Sequence, residues 1–199
     1  MPGQEHLGPL TTTFLLSMAT PIINLPIERI ERHRGEEIEG YADDRQLDLK
    51  LVSAIENALG GHSFGKSPFF ENGHWGFASV PFREGYNLAA GLPHELVEML
   101  SSEKALQSAS SMAASQWVSC LRNSLAHGGV AYLDTNGQPS LDAKAEMLAF
   151  VSAKYSEPGT RKPPTHLNAL RIREGDFLLF LRAWVDWLQS SGLAEALAA

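Results

Sequence analysis

The segment from Leu106 to Gly129 carries apolar residues at the spacing of an α-helix and ends at two glycines. Residues three or four positions apart share one side of a helix, so the segment predicts one long helix over residues 102–129 with a buried side. That side would contain Leu106, Ala109, Ala113, Trp117, Leu121 and Leu125. Gly128 and Gly129 suit the left-handed turn that ends many helices, because glycine has no Cβ. A chain organised around this helix is expected to be mainly helical.

Four other segments have helical patterns. Residues 11–33 are predicted to be a helical region whose start or bend is set by its prolines. Residues 93–102 predict a short helix. Residues 41–61 predict a helix that begins at Asp43 or Asp44 and buries Leu47, Leu51, Ile55 and Leu59. Residues 170–191 predict a final helix that turns inward Phe177, Phe180 or Leu181, Trp184 and Leu188.

A small β element is predicted before the final helix. Residues 130–155 have the pattern of two strands around Asn136-Gly137, although residues 146–155 also fit a helix. Residues 62–91 are predicted to be an ordered, aromatic-rich loop, in which residues 67–82 also fit a short strand. Its rings either tie it to the core or stack on nucleotide bases. The predicted fold class is therefore mainly α: a helical bundle with a small β-hairpin element near the C-terminal third, in a single domain over residues 1–199.

The composition excludes several classes of protein. Cys120 is the only cysteine, which rules out an intrachain disulfide and a zinc site of several thiolates, and we expect it to be a small buried residue. The single cysteine favours a reducing, cytoplasmic setting. The apolar run FLLSMATPIINLPI is short and contains two prolines, so we expect no membrane role. A net charge of −7 argues against nucleic-acid binding over the whole surface, but not against a local site.

The stretch GGHSFGKS, residues 60–67, matches the pattern of a phosphate-binding loop. Such a loop needs a buried strand before it and a helix after it, whereas here a helical pattern precedes it and Pro68 follows. We therefore expect no nucleotide site. The scattered histidines His62, His74 and His94 are expected to satisfy hydrogen bonds in loops, so no cofactor and no metal are predicted.

The end of the long predicted helix, LRNSLAHGG, places Arg122, Asn123 and His127 close together in sequence. On an ideal helix Asn123 and His127 lie about 40° apart, so the amide can orient the imidazole. Arg122 lies about 140° from His127, but its long side chain can swing toward the exposed helix end, where the three groups would converge. Cationic residues also stabilise the negative end of a helix dipole, and that simpler role is open for Arg122 and His127. It gives no reason for an asparagine on the same side as the histidine.

This motif resembles the R-N-x-x-x-H signature of HEPN domains (higher eukaryotes and prokaryotes nucleotide-binding). The match covers roughly Trp117 to Asp134, and the closing FLRAWVDWL is similar to a bacterial branch of the family. The resemblance implies an α-helical bundle that forms a homodimer, with the motifs of two subunits facing each other. It also implies that Arg122 and His127 are the catalytic pair and that Asn123 orients them.

Many members of that family are metal-independent endoribonucleases, including toxins of toxin–antitoxin systems and antiviral effectors. The resemblance thus implies an RNA substrate and, for a toxin, an antitoxin protein partner. Cleavage would proceed by attack of the RNA 2′-hydroxyl, with His127 transferring protons and Arg122 stabilising phosphoryl charge. Two alternatives stay open at this point: a HEPN-like module that binds RNA or protein without cleaving, and a small-molecule enzyme that uses the aromatic loop as a pocket.

Overall fold

The computed structural model describes residues 11–33, 59–84, 87–88, 91–140, 145–156 and 163–192. Within these ranges, five helices and four strands follow one another, and a 3-10 turn occupies Phe64–Lys66. They are α1 (Thr11–His33), β1 (Gly76–Pro81), α2 (His94–Ser101), α3 (Glu103–Ser111), α4 (Ala114–Ala126), β2 (Val130–Leu133), β3 (Met147–Lys154), β4 (His166–Arg173) and α5 (Glu174–Ser190). The segments 34–58, 141–144 and 157–162 lie outside the described residues, and with them most of the helix predicted over 41–61.

The four strands form one antiparallel sheet in the order β1-β4-β3-β2. The prediction of a mainly α-helical bundle is therefore wrong, because the fold is a mixture of helices and sheet. The hairpin predicted over 130–155 is present as β2 and β3, and the helical alternative for residues 146–155 is wrong. The hairpin is extended by β4, which covers part of the predicted final helix, and by β1, which lies in the predicted aromatic loop.

The sheet separates two apolar clusters because successive strand residues point to opposite faces. On one face, Leu148, Phe150, Leu170 and Ile172 pack against buried residues of α1, α4 and α5. On the other, smaller residues of β1, β3 and β4 pack against Leu96 and Leu100 of α2. The larger cluster is the main core, and it is the one that holds α4, the helix that carries the motif.

Aromatic rings join the loop between α1 and β1 to that core. Trp117 of α4 stacks on Phe64, with ring centroids 4.4 Å apart, and Phe69 meets Trp184 of α5 at 4.9 Å. Trp75 is also buried, at 5.2 Å from Phe180. Such ring pairs are favourable beyond the apolar area that they bury. Of the two interpretations of the aromatic loop, the structure confirms that these three rings tie it to the core.

Helix α1 lies beside α5 and runs parallel to it. The hydroxyl of Thr12 donates a hydrogen bond to the carboxylate of Glu174, and the indole N–H of Trp184 donates to the carbonyl of Ile22 at 3.0 Å. Both pairs are 162 residues apart, so α1 and α5 run in the same direction. The inward-facing residues predicted for the last helix are all buried: Phe177, Phe180, Leu181, Trp184 and Leu188.

The single helix predicted over residues 102–129 is divided into α3 and α4 at Met112 and Ala113. Both residues have extended backbone, with ψ of 152° and 137°. The segment that leads into the 3-10 turn pairs with the chain at this break. The amide of Phe64 donates to the carbonyl of Met112 at 2.8 Å, and the amide of Ala114 donates to the carbonyl of His62 at 3.0 Å. The break also explains why two members of the predicted apolar side, Leu106 and Ala113, are exposed.

The tandem glycines end α4 as predicted, and each has a distinct reason to be glycine. Gly128 has φ of +69°, in the left-handed region that side chains with a Cβ rarely adopt. The amide of Gly129 donates to the carbonyl of Ser124 at 2.8 Å, and its carbonyl accepts from the amide of Val151 at 2.7 Å. A Cβ at position 129 would overlap the carbonyl oxygen of Val151 and lie 3.4 Å from the Cα of Ser124.

We expect Gly129→Ala to lower the free energy of unfolding by about 1–3 kcal/mol, because either β3 or the end of α4 must move to admit the methyl group. Urea unfolding followed by circular dichroism measures the change. Gly175→Ala is the matched control, since a Cβ there meets no atom within 4 Å and alanine favours the helical state. Equal stability of the two variants would show that Gly129 is not constrained by Val151.

Candidate functional site

His127 is the first residue beyond α4, and its side chain is exposed. Its backbone has φ of −109° and ψ of 10°, and its amide donates to the carbonyl of Asn123 at 3.0 Å. The turn at Gly128 then leads the chain into β2. The helix end therefore presents the imidazole to solvent next to β2, an edge strand of the sheet.

Asn123 and Arg122 are both half-buried on the last full turn of α4. Asn123 lies on the same side of the helix as His127, whereas Arg122 lies about 140° away on an ideal helix. Among the described residues, no hydrogen bond joins the imidazole of His127 to the side chain of Asn123 or Arg122. One chain thus places the asparagine and the histidine on one side of α4.

A row of small polar side chains, buried except for the half-buried Ser79, lies on the sheet face that packs against α4. The Sγ atom of Cys120 lies 3.7 Å from the carbonyl oxygen of Phe150, and the hydroxyl of Ser152 also hydrogen-bonds the thiol. On the same face of the sheet, Ser79 donates to the side-chain oxygen of Asn168 at 2.8 Å. Burial raises the pKa of the Cys120 thiol to about 11, despite hydrogen bonds to Ser152 and Leu170 that lower it. Cys120 is buried as predicted, and it is held in its neutral form.

The phosphate-loop pattern at residues 60–67 has a structural explanation. The 3-10 turn uses the amides that would otherwise face a phosphate: Lys66 donates to the carbonyl of Ser63, and Ser67 to that of Phe64, both at 2.9 Å. A Cβ at Gly65 would lie 2.8 Å from the carbonyl oxygen of Ser110, so this glycine permits close packing on α3. These amides and this glycine therefore serve the packing of the loop.

Two of the three scattered histidines lie beside carboxylates. His74 is 3.8 Å from Asp176 of α5, and His94 is 3.6 Å from Glu98 one turn along α2. The Nε2 atom of His62 is buried and has no hydrogen-bond partner among the described residues. In that same part of the chain, no three His, Cys, Asp or Glu side chains are grouped so that they could hold a metal ion.

Two arginines on β4, Arg171 and Arg173, were not among the predicted site residues. Arg171 and Arg173 point to the same face of the sheet, and neither forms an ion pair with a described carboxylate. Burial, and then the charge of Arg173, lowers the pKa of the half-buried Arg171. The alternation of arginine with Leu170 and Ile172 was the available signal, but it lay within a segment that was interpreted as helix. The pair is a local cationic surface in an acidic protein.

No family model matches the sequence. Searches of curated proteins and of solved structures also found no match. Among the described residues, no helix has the length and hydropathy to cross a membrane.

The raised pKa of Cys120 gives the protein a specific dependence on pH. Because the folded state holds the thiol proton more tightly than the unfolded chain, this group stabilises the fold below about pH 9, and that contribution falls as pH rises toward about 11. A difference of this size corresponds to about 2–3 kcal/mol.

We therefore expect Cys120→Ala to have a shallower loss of stability between pH 9 and pH 11 than the native chain, with parallel curves below pH 9. Urea unfolding at a series of pH values measures both curves. The lost sulfur packing lowers the variant's curve by the same amount at every pH, so it does not affect the comparison of slopes. Parallel curves over the whole range would contradict the buried neutral thiol.

Proposed function

We propose that this protein is a dimeric, metal-independent endoribonuclease, a toxin or defence effector that cleaves RNA by attack of a 2′-hydroxyl on the adjacent phosphate. The catalytic residues are Arg122 and His127, and Asn123 positions them. The proposal draws on the resemblance of LRNSLAHGG to the HEPN signature. It does not draw on the overall fold, because the chain has a mixed fold of helices and sheet and not the α-helical bundle that the resemblance implied.

The observation that carries the proposal is the exposed imidazole of His127 on the same side of α4 as Asn123. The requirements of the fold account for Gly128 and Gly129, through a positive φ and a close approach to Val151. They do not account for the histidine side chain, which hydrogen-bonds no other side chain in the described part of the chain. A residue that contributes little to the fold is available for chemistry.

The chemistry fits these side chains. An imidazole can accept and release a proton near neutral pH, so one His127 takes the proton of the 2′-hydroxyl as its oxygen bonds to phosphorus. A second His127 gives a proton to the departing 5′-oxygen, and the products are a 2′,3′-cyclic phosphate and a 5′-hydroxyl. Arg122 remains charged and donates to the phosphoryl oxygens as negative charge builds up on them.

Two copies of the chain are needed because one copy supplies only half of this arrangement. A single imidazole cannot be base and acid in the same step, and Arg122 lies on a different side of α4 from His127. A partner subunit would bring its own imidazole and guanidinium to the opposite side of the phosphate. In a toxin, an antitoxin protein would bind the dimer and block this cleft.

We expect His127→Ala and Arg122→Ala each to reduce RNA cleavage in excess chelator by at least about 100-fold, the usual contribution of a proton-transferring group. Asn123→Ala should reduce the rate less, because the amide only positions the imidazole. Gel assays on a labelled RNA pool, with detection of 2′,3′-cyclic ends, measure these changes. His94→Ala is the control, since His94 is also an exposed histidine but lies on α2.

His127→Ala should unfold at the same urea concentration as the native chain, because surface substitutions usually change stability by less than about 0.5 kcal/mol. Cleavage by His127→Ala at the native rate would remove the proposal and point to a contaminating nuclease. Retained binding of RNA without cleavage by the native chain would favour the alternative, a non-catalytic HEPN-like module that binds RNA or protein.

A further inference from the structure

Two guanidinium groups lie side by side on the face of the sheet that packs against α2. Leu167 and Ala169 of β4 belong to the apolar cluster on that face. Arg171 and Arg173 continue the same alternation toward the end of the strand, so their Cα atoms are about 7 Å apart. Arg171 is half-buried and Arg173 is exposed. Two positive charges therefore stand together at the edge of an apolar surface.

The strands on either side give this pair no negative charge. Arg171 pairs with Gly76 on β1 and with Ala149 on β3, and Arg173 pairs with Met147 on β3. Side chains directly across from each other on neighbouring strands are the ones that balance a charge within a sheet. None of these three cross-strand neighbours is charged, so the sheet itself leaves both guanidinium groups uncompensated.

The side chain of Arg171 extends toward β1 and the junction of α2 and α3. A Cβ built on Gly76 would lie 4.0 Å from the Nε atom of Arg171. The same point is 3.9 Å from the carbonyl oxygen of Leu100 and 3.5 Å from the Cβ of Ala105. Leu100 is near the end of α2, and Ala105 is in the first turn of α3. The guanidinium therefore lies where the sheet meets two helix ends.

Arg171 does not cap α2, the simplest structural role for a cation at a helix C-terminus. Serines take the carbonyls there instead. The hydroxyl of Ser101 donates to the carbonyl of Val97 at 2.9 Å. The hydroxyl of Ser102 donates to the carbonyl of Met99 at 2.7 Å. The end of α2 is thus completed without the guanidinium.

Within the described part of the chain, neither Arg171 nor Arg173 donates a side-chain hydrogen bond or forms an ion pair. Arg83, by contrast, lies 3.4 Å from Glu95. A guanidinium has five N–H donors, and a half-buried one without an acceptor beside a second positive charge is unfavourable for folding. Burial and then the charge of Arg173 lower the pKa of Arg171. Such uncompensated charge is typical of sites where a ligand supplies the opposite charge.

We propose that Arg171 and Arg173 form a binding site for a phosphoryl group. Two planar forks of donors can hold one tetrahedral group from two sides, and a phosphate monoester carries nearly two negative charges at neutral pH. One guanidinium already satisfies a carboxylate in a bidentate pair, which would leave the second charge unbalanced. The site lies on the sheet face opposite the one that packs against α4, so its occupancy does not depend on whether His127 cleaves RNA.

Heteronuclear NMR of the arginine Nε–H groups, with addition of inorganic phosphate, tests the proposal. The signals of Arg171 and Arg173 should shift with a Kd on the order of 1 mM. Arg171→Gln and Arg173→Gln should each raise that Kd at least about tenfold, because each removes charge-assisted hydrogen bonds. Arg182→Gln is the matched control, since Arg182 is exposed on α5 and its loss removes the same charge elsewhere. Acetate should bind at least about tenfold more weakly than phosphate.

Urea unfolding separates a binding role from a structural one. Without phosphate, Arg171→Gln should unfold at the same urea concentration as the native chain or at a higher one, because it no longer buries an uncompensated charge. Added phosphate should stabilise the native chain more than this variant, because a ligand that binds only the folded state raises stability. An arginine that held the fold together would make the phosphate-free variant less stable than the native chain.

The phosphoryl group belongs either to a small phosphate compound or to a nucleic-acid backbone. Fluorescence anisotropy with a labelled single-stranded oligonucleotide that lacks 2′-hydroxyls distinguishes them, because the proposed chemistry cannot cleave it. A backbone ligand should bind more tightly than inorganic phosphate, and each arginine removed should lower the slope of log Kd against log salt by about 0.7. Phosphate binding with no tighter binding of the oligonucleotide would assign the site to a small phosphate compound.

The proposal fails on any of four results. One is a native chain whose Arg171 and Arg173 signals stay fixed in phosphate at about 50 mM, far above the expected Kd. Another is a Kd for phosphate that neither Arg171→Gln nor Arg173→Gln changes more than Arg182→Gln does. The third is acetate binding as tight as that of phosphate. The fourth is loss of stability in phosphate-free Arg171→Gln, which would assign that side chain to the fold.

Discussion

The backbone contact between Gly129 and Val151 connects helix α4 to the antiparallel sheet. Their hydrogen bond of 2.7 Å joins the end of α4 to β3, and it is possible only because Gly129 has no Cβ to strike the carbonyl of Val151. The turn at Gly128 sets the direction from which the chain enters β2. Since β2 pairs with β3 immediately afterwards, this contact fixes the position of α4 against the sheet and hence the place of His127.

That position gives the motif a defined but incomplete geometry. His127 is exposed just beyond the helix, and Asn123 and Arg122 are half-buried on its last full turn. On an ideal helix Asn123 shares the side of His127, and Arg122 lies about 140° from it. A catalytic group for phosphate cleavage requires charge stabilisation and two proton transfers at one phosphate, and a single helix end does not bring these together.

The sequence predicted part of the fold, and the failures share a physical cause. The period of α5 identified its buried residues, and the Asn136-Gly137 turn identified the β2–β3 hairpin. The break at Met112 and Ala113 was not predictable, because neither residue disfavours a helix and the break depends on hydrogen bonds to His62 and Phe64, about fifty residues away. Strand β4 runs directly into α5, so the sequence predicts a single helix that includes the last four residues of the strand.

For the site, the sequence alone determined which side chains share the turn at the end of α4, and that two glycines must follow them, because helix spacing and the lack of a Cβ are local properties. Only the tertiary structure decided that this end lies against an antiparallel sheet, that His127 faces solvent, and that the aromatic loop is buried rather than open to a ligand. These outcomes depend on which distant segments pair with one another, and the energy of that pairing cannot be inferred from the local pattern of residues.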